Sequence, residues 1–157
     1  MRVLFLGTPP FALPALEKLL SSRHAVVGVM TQPDRPRGRS RKPVPPPVKE
    51  LALRHGLQVE QPDRLDDPSF LRAIQALKAD CAVVVAYGRI FPPELLNRFP
   101  KGAFNLHASR LPKYRGAAPI QWALIRGEKE TGDTLFRLYE QLDHGLVLLQ
   151  SATPIQP

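Results

Sequence analysis

CAVVVAYG, residues 81–88, is the stretch that decides the fold. Its first six residues carry no charge and are rich in valine, so the strand they predict is dry on both faces. Such a strand belongs at the centre of a sheet covered by helices on both sides. On either side of it, strand and helix patterns alternate. Residues 2–6, RVLFL, form a short apolar strand ended by Gly7, and residues 11–20 place Leu13, Leu16, Leu19 and Leu20 at helical spacing. A strand at 25–31, a helix at 48–55 stopped by Gly56, a brief strand at 57–60 and a helix at 69–77 follow. After the central strand come a short helix at 93–99, a strand through Asn105 and His107, a helix at 118–125, and strands at 133–140 and 146–151. This alternation predicts an α/β fold with a doubly wound, mostly parallel sheet and flanking helices.

The chain of 157 residues is 43% apolar and 23% charged, which suits one soluble domain with its own core. No linker or internal repeat divides it. No apolar run reaches the roughly 18 residues of a membrane span. The opening MRVLFLGTPP is broken by Gly7, Pro9 and Pro10, and reads as a first strand rather than a signal peptide. The single cysteine, Cys81, lies in the apolar strand and reads as a buried, inert thiol. A cytoplasmic, monomeric protein without membrane attachment is the expectation.

A net charge of +8 suits a polyanionic partner, and its distribution is uneven. Residues 35–42, RPRGRSRK, hold Arg35, Arg37, Arg39, Arg41 and Lys42. Gly38 with Pro36 and Pro43 predicts an exposed loop without regular structure. Composition alone leaves two readings open: a solvated surface segment, or a contact to phosphate backbones driven by counterion release.

In open α/β sheets ligands bind beyond the carboxyl ends of the strands. Three such ends carry unusual residues: Gly7-Thr8-Pro9, Ala86-Tyr87-Gly88, and the segment 105–109. Neither a Rossmann G-x-G-x-x-G nor a P-loop follows the first strand. His24, His55, His107 and His144 lack zinc-ligand spacing, so no metal is expected. What remains is the pair Asn105 and His107, two apart and therefore on one strand face. A histidine accepts and returns protons near neutral pH, and an amide donates to an oxygen that turns negative. Asp143, in the turn LDHG, is a candidate carboxylate to orient the imidazole. Spacing alone also allows a structural histidine and ordinary turn chemistry at the aspartate.

GTPPFALPAL at the amino terminus, TQPDRPRGR in the basic loop, VVAYGRI on the central strand and NLHASRLPKYRGAAPIQWAL at 105–124 add a wider pattern. In order and spacing they resemble the methionyl-tRNA formyltransferases of the folate-dependent formyltransferase family, over essentially the whole chain. The resemblance implies the Rossmann-like formyltransferase fold. It implies transfer of a formyl group from 10-formyltetrahydrofolate to the amino group of methionyl initiator tRNA, without a metal. It implies catalytic roles for Asn105, His107 and Asp143. It implies folate contacts along Ser109, Arg110, Leu111 and Pro112 and beside Ala86, Tyr87 and Gly88. It also implies that Arg35, Arg37, Arg39, Arg41 and Lys42 meet the tRNA acceptor stem.

Arg110, Asp133 and His144 depart from the family pattern, which has a leucine, an apolar residue and a small residue there. Family members are longer, so residues 1–157 are expected to be a catalytic domain incomplete at its carboxyl end, lacking a β-rich tRNA-binding domain. Two alternatives share much of this reading. One is a formyltransferase acting on another amine, such as an amino sugar nucleotide or a purine precursor. The other is a non-catalytic RNA-binding α/β module.

Overall fold

The structure, a computed structural model, describes residues 1–36, 42–139 and 141–156. Seven strands form one sheet: β1 (Arg2–Gly7), β2 (Ala25–Met30), β5 (Val59–Glu60), β6 (Cys81–Val85), β7 (Ala103–His107), β8 (Glu130–Arg137) and β9 (Val147–Pro154). Their order is β5-β2-β1-β6-β7-β8-β9, which puts β6 in the middle. The five strands from β5 to β7 run parallel, whereas β8 and β9 are antiparallel to their neighbours. The remaining two strands, β3 (Arg35–Pro36) and β4 (Pro43–Val44), form a separate two-residue antiparallel ladder.

Alternation along the strands builds two cores, one on each face. Leu4 and Leu6 of β1, Met30 of β2, and Ala82 and Val84 of β6 pack beneath α3 (Pro68–Ala76) and α4 (Pro93–Leu96). Phe5, Val29 and Val85 face the other way, against α1 (Leu13–Leu20) and α2 (Pro47–Arg54). Helix α3 buries Phe70, Leu71 and Ile74, each contributing about 2 kcal/mol by removal from water. The abundant prolines have a local reason: all five α-helices among the described residues carry one in the first turn, where its fixed φ suits the helix and its missing N–H costs nothing. Asp67 also caps α3, its Oδ2 accepting from the Phe70 N–H at 2.9 Å.

The doubly wound expectation is met, with corrections at the edges. Strand β8 begins at Glu130, not 133, because residues 130–132 pair with Pro154, Thr153 and Ala152 of β9. Helix α4 stops at Leu96, and the segment before α5 (Pro119–Ile125) ends on Ala118 in a left-handed conformation. The basic segment is not wholly irregular, since Arg35 and Pro36 pair with Val44 and Pro43. Arg37, Arg39 and Arg41 lie outside the described residues.

Strand β9 forms the outer edge of the sheet, and all eight of its residues are exposed. Chain order reverses between β1 and β6, which makes their carboxyl ends the usual ligand crevice. Here two hydrogen bonds tie the loops at that crevice together. Thr8 Oγ1 donates to Tyr87 O at 3.2 Å, and Gln32 Nε2 donates to the same oxygen at 3.1 Å. The polar pair Asn105 and His107 lies one strand along, on β7.

Candidate active site

Ala103 of β7 packs into the core beneath α3 and α4, so Asn105 and His107 project from that same face. Their partners across the antiparallel pair are Phe136 and Thr134 of β8, both fully buried. His107 is buried at the strand's end, and Asn105 is half-buried with no hydrogen bond to its side chain among the described residues. An amide placed so is available to an incoming oxygen.

Two loops close around the imidazole. His107 Nε2 donates to Tyr114 O at 2.8 Å, since a carbonyl only accepts. Its Nδ1 lies 3.7 Å from Asp143 Oδ2, too far for a hydrogen bond but close for a charge pair. Asp143 is buried, and its Oδ2 accepts from the Gly116 N–H at 2.8 Å. Arg115 Nε donates to Asp143 O at 3.0 Å, so the 113–116 loop and the Asp143 turn hold each other. The turn is tight: Asp143 has φ of 50°, and a Cβ on Gly145 would lie 1.6 Å from Arg137 O. The structure thus brings His107 and Asp143 together at the end of β7, with Asn105 two residues away on the same strand face.

The implied folate residues separate into unlike groups. Ser109 is fully buried, its Oγ donating to Lys113 O at 2.6 Å, so its side chain braces the loop. Arg110 is exposed and ion-paired with Glu130. With Leu111, Pro112, Thr131 and Gln150 it lines a cavity of about 330 Å³. Tyr87 is core, stacked on Phe91 at 5.4 Å, and burial pushes its phenol up to about 12 against the pull of Arg89. Its neighbours Ala86 and Gly88 are exposed, both at positive φ. Arg35 is exposed on its short ladder, and Lys42 lies just before β4. Exposed His144 donates from Nδ1 to Leu142 O at 2.6 Å.

Three features escape the sequence reading. Thr134 Oγ1 donates to Ser109 O at 2.6 Å and accepts from Leu111 N at 3.0 Å and Gln150 Nε2 at 3.0 Å, tying the 109–111 rim to the sheet. Asp133, its neighbour, is partly buried; burial holds its carboxyl above the usual range, while a charged His107 pulls it down. A cavity of about 660 Å³ opens beside the Asp143 turn, lined by Leu96, Phe99, Ala103, Leu138, Tyr139 and His144, among others. No sequence signal marks it, because two stretches more than thirty residues apart, 93–103 and 137–144, enclose it.

A family model described as formyl transferase matches residues 1–157, the whole chain. The chain belongs to the formyl transferase family. Among relatives of this formyl transferase, the methionyl-tRNA formyltransferase of Trichlorobacter lovleyi is 52% identical over 156 residues, 99% of this chain and 49% of that protein. The methionyl-tRNA formyltransferase of a Synechococcus strain is 56% identical over 160 residues, 100% of this chain and 50% of that protein. The chain spans about half the length of these curated relatives. Phosphoribosylglycinamide formyltransferase from Bacillus halodurans shares the fold, with a TM-score of 0.78 at 22% identity over 99% of this chain and 81% of that one.

Proposed function

We propose that this formyl transferase moves a formyl group from 10-formyltetrahydrofolate to the amino group of methionyl initiator tRNA. The observation that carries the reading is the cluster of half-buried Asn105 with buried His107 and Asp143 at the end of β7, in a chain about half identical to methionyl-tRNA formyltransferases along its whole length. The folate supplies a formyl carbon activated by its bond to a weakly basic nitrogen. Asn105 donates to the formyl oxygen, whose negative charge grows as the amine attacks. His107 takes the proton that the amine loses at Nδ1 and returns it to the departing folate nitrogen, so one C–N bond forms as another breaks. Asp143 faces the imidazolium while it carries that proton and keeps the ring oriented.

The residues present fit the folate. The 660 Å³ cavity beside the Asp143 turn mixes apolar walls from Leu96, Phe99 and Leu138 with polar Asn97, Gln141 and His144, as a flat heteroaromatic ring requires. Ala103, two residues before Asn105 on the same face, puts this cavity next to the reacting groups. On this reading the ring occupies the 660 Å³ cavity, and the 109–112 rim, which lines a separate cavity of about 330 Å³, is left for the rest of the folate. The basic residues Arg35, Arg37, Arg39, Arg41 and Lys42 then meet tRNA phosphates.

Formyl transfer from 10-formyltetrahydrofolate tests the reading, with charged initiator tRNA and free methionine compared in the wild type, in His107→Ala and with Arg37, Arg39 and Arg41 neutralised. The expected result is strong preference for the tRNA, loss of turnover in His107→Ala, and a KM for tRNA raised by the neutralised loop. Transfer equally fast with free methionine, or untouched by His107→Ala, refutes it.

A further inference from the structure

A second pocket shares a wall with the site just described. Lys113, Tyr114, Arg115, Trp122, Arg126 and Glu128 enclose about 370 Å³, at the small end of ligand pockets and enough for one nucleotide. Trp122 comes from α5 and is 48% exposed, although a tryptophan left half in water forgoes much of the gain from burial. The Arg126 guanidinium lies 5.5 Å from the Tyr114 ring centre and 5.9 Å from that of Trp122, orienting both rings.

The charges select the ligand. Three cations face one carboxylate, and that carboxylate is already engaged. Glu128 accepts from Tyr114 Oη at 2.7 Å and from Lys113 Nζ at 3.1 Å, contacts that hold its carboxyl below the usual range. It therefore has little capacity left for a cationic ligand, whereas the Arg126 guanidinium lies over the two rings and adds to the field on Glu128 but makes no side-chain hydrogen bond among the described residues. A flat ring with a free face beside spare guanidinium donors suits a stacked base with its phosphate. Position reinforces the point: Tyr114 turns its ring to this pocket while its carbonyl oxygen holds His107 Nε2. A nucleotide seated here adjoins the catalytic histidine.

We infer that the Trp122–Arg126 pocket is a subsite for one unpaired nucleotide of an RNA strand, with the base stacked on Trp122 and the phosphate held by Lys113 and Arg126. The identity of the strand, the single-stranded end of the aminoacylated tRNA, rests on the function proposed above; the stacking chemistry does not.

Trp122 is the only tryptophan, so its fluorescence reports on the pocket directly. The chain is titrated with the single-stranded trinucleotide CCA, with a blunt RNA duplex, and with hexaglutamate as a non-nucleotide polyanion. The subsite predicts saturable quenching by the trinucleotide, weakened by salt, with little from the duplex or the peptide. Binding of a fluorophore-labelled trinucleotide falls roughly 10- to 100-fold in Trp122→Ala. It falls less in Trp122→Phe, which keeps an aromatic face and guards against a folding artefact. Equal trinucleotide binding in Trp122→Ala, or quenching by hexaglutamate alone, overturns the inference. Formyl transfer is measured on the same wild-type preparation. Transfer without trinucleotide binding refutes the subsite and leaves the enzyme assignment standing; trinucleotide binding without transfer does the reverse.

Discussion

Thr134→Val removes one oxygen and tests how the 109–111 rim is held. Valine has nearly the shape of threonine, so the substitution opens no cavity and its cost is polar. Three hydrogen bonds disappear: to Ser109 O at 2.6 Å, from Leu111 N at 3.0 Å and from Gln150 Nε2 at 3.0 Å. Gln150 keeps its bond to Leu111 O at 2.7 Å, so its loss is partial. Ser109 O and Leu111 N, by contrast, have no other partner among the described residues and lie where water does not reach. At about 1–3 kcal/mol for each buried group left unpaired, the two together cost about 2–6 kcal/mol. That is a large part of the roughly 5–15 kcal/mol that holds a domain folded. Urea unfolding of the wild type, Thr134→Val and Thr134→Ser measures it, and serine, which keeps the oxygen, is expected to recover most of the loss. A Thr134→Val protein within about 0.5 kcal/mol of wild type, the scatter of neutral substitutions, refutes the hub.

Asp143→Asn keeps an acceptor for the Gly116 N–H but removes the charge opposite the imidazole. Folding should survive while turnover falls about 100- to 10,000-fold; near-normal turnover in a steady-state assay contradicts the assigned role. Gly145→Ala forces a methyl group onto Arg137 O, so unfolding experiments should show a loss of about 2–4 kcal/mol, with catalysis falling as the Asp143 turn shifts. Asp133 gives a pH signature. Its folded carboxyl titrates above its ordinary 3.8, so the native state binds more protons than the unfolded chain just above that pH. Its contribution to stability therefore falls as pH rises from 3.8 to the raised value, then stays low. Asp133→Asn should raise Tm at pH 7 and lose that advantage near pH 3; the same Tm difference at both pH values rules this out.

What the sequence reveals depends on how local the cause is. The central position of β6 is legible because a strand dry on both faces has few places to go. Asn105 and His107 are legible as a pair because strand geometry alone puts them on one side. The start of β8 is not, because Glu130, Thr131 and Gly132 look like a loop until β9 lies beside them. A Cβ on Gly132 would sit 1.9 Å from Ser151 O, so its missing side chain permits the pairing and gives no local sign of it. Thr134 is the least legible of all. Threonine is an ordinary strand residue, and two of its three partners lie 23 and 25 residues earlier in the chain. The large cavity is hidden for the same reason, since its walls meet only when α4 and the Asp143 turn are brought together by the sheet.

The outer edge, β9, has a consequence for the protein in concentrated solution. Its eight residues, VLLQSATP, contain no charge, and Leu146, just before it, is as exposed as Val147, Leu148 and Leu149 within it. An exposed row of unpaired N–H and C=O groups flanked by apolar side chains templates the addition of another strand. Protein chemists usually find gatekeeper lysines or a mid-strand proline at such an edge, and here Pro154 guards only its last position. Colloidal stability, rather than folding free energy, is then the property most sensitive to this strand. A single lysine in place of Leu149 is the change that would most simply blunt it.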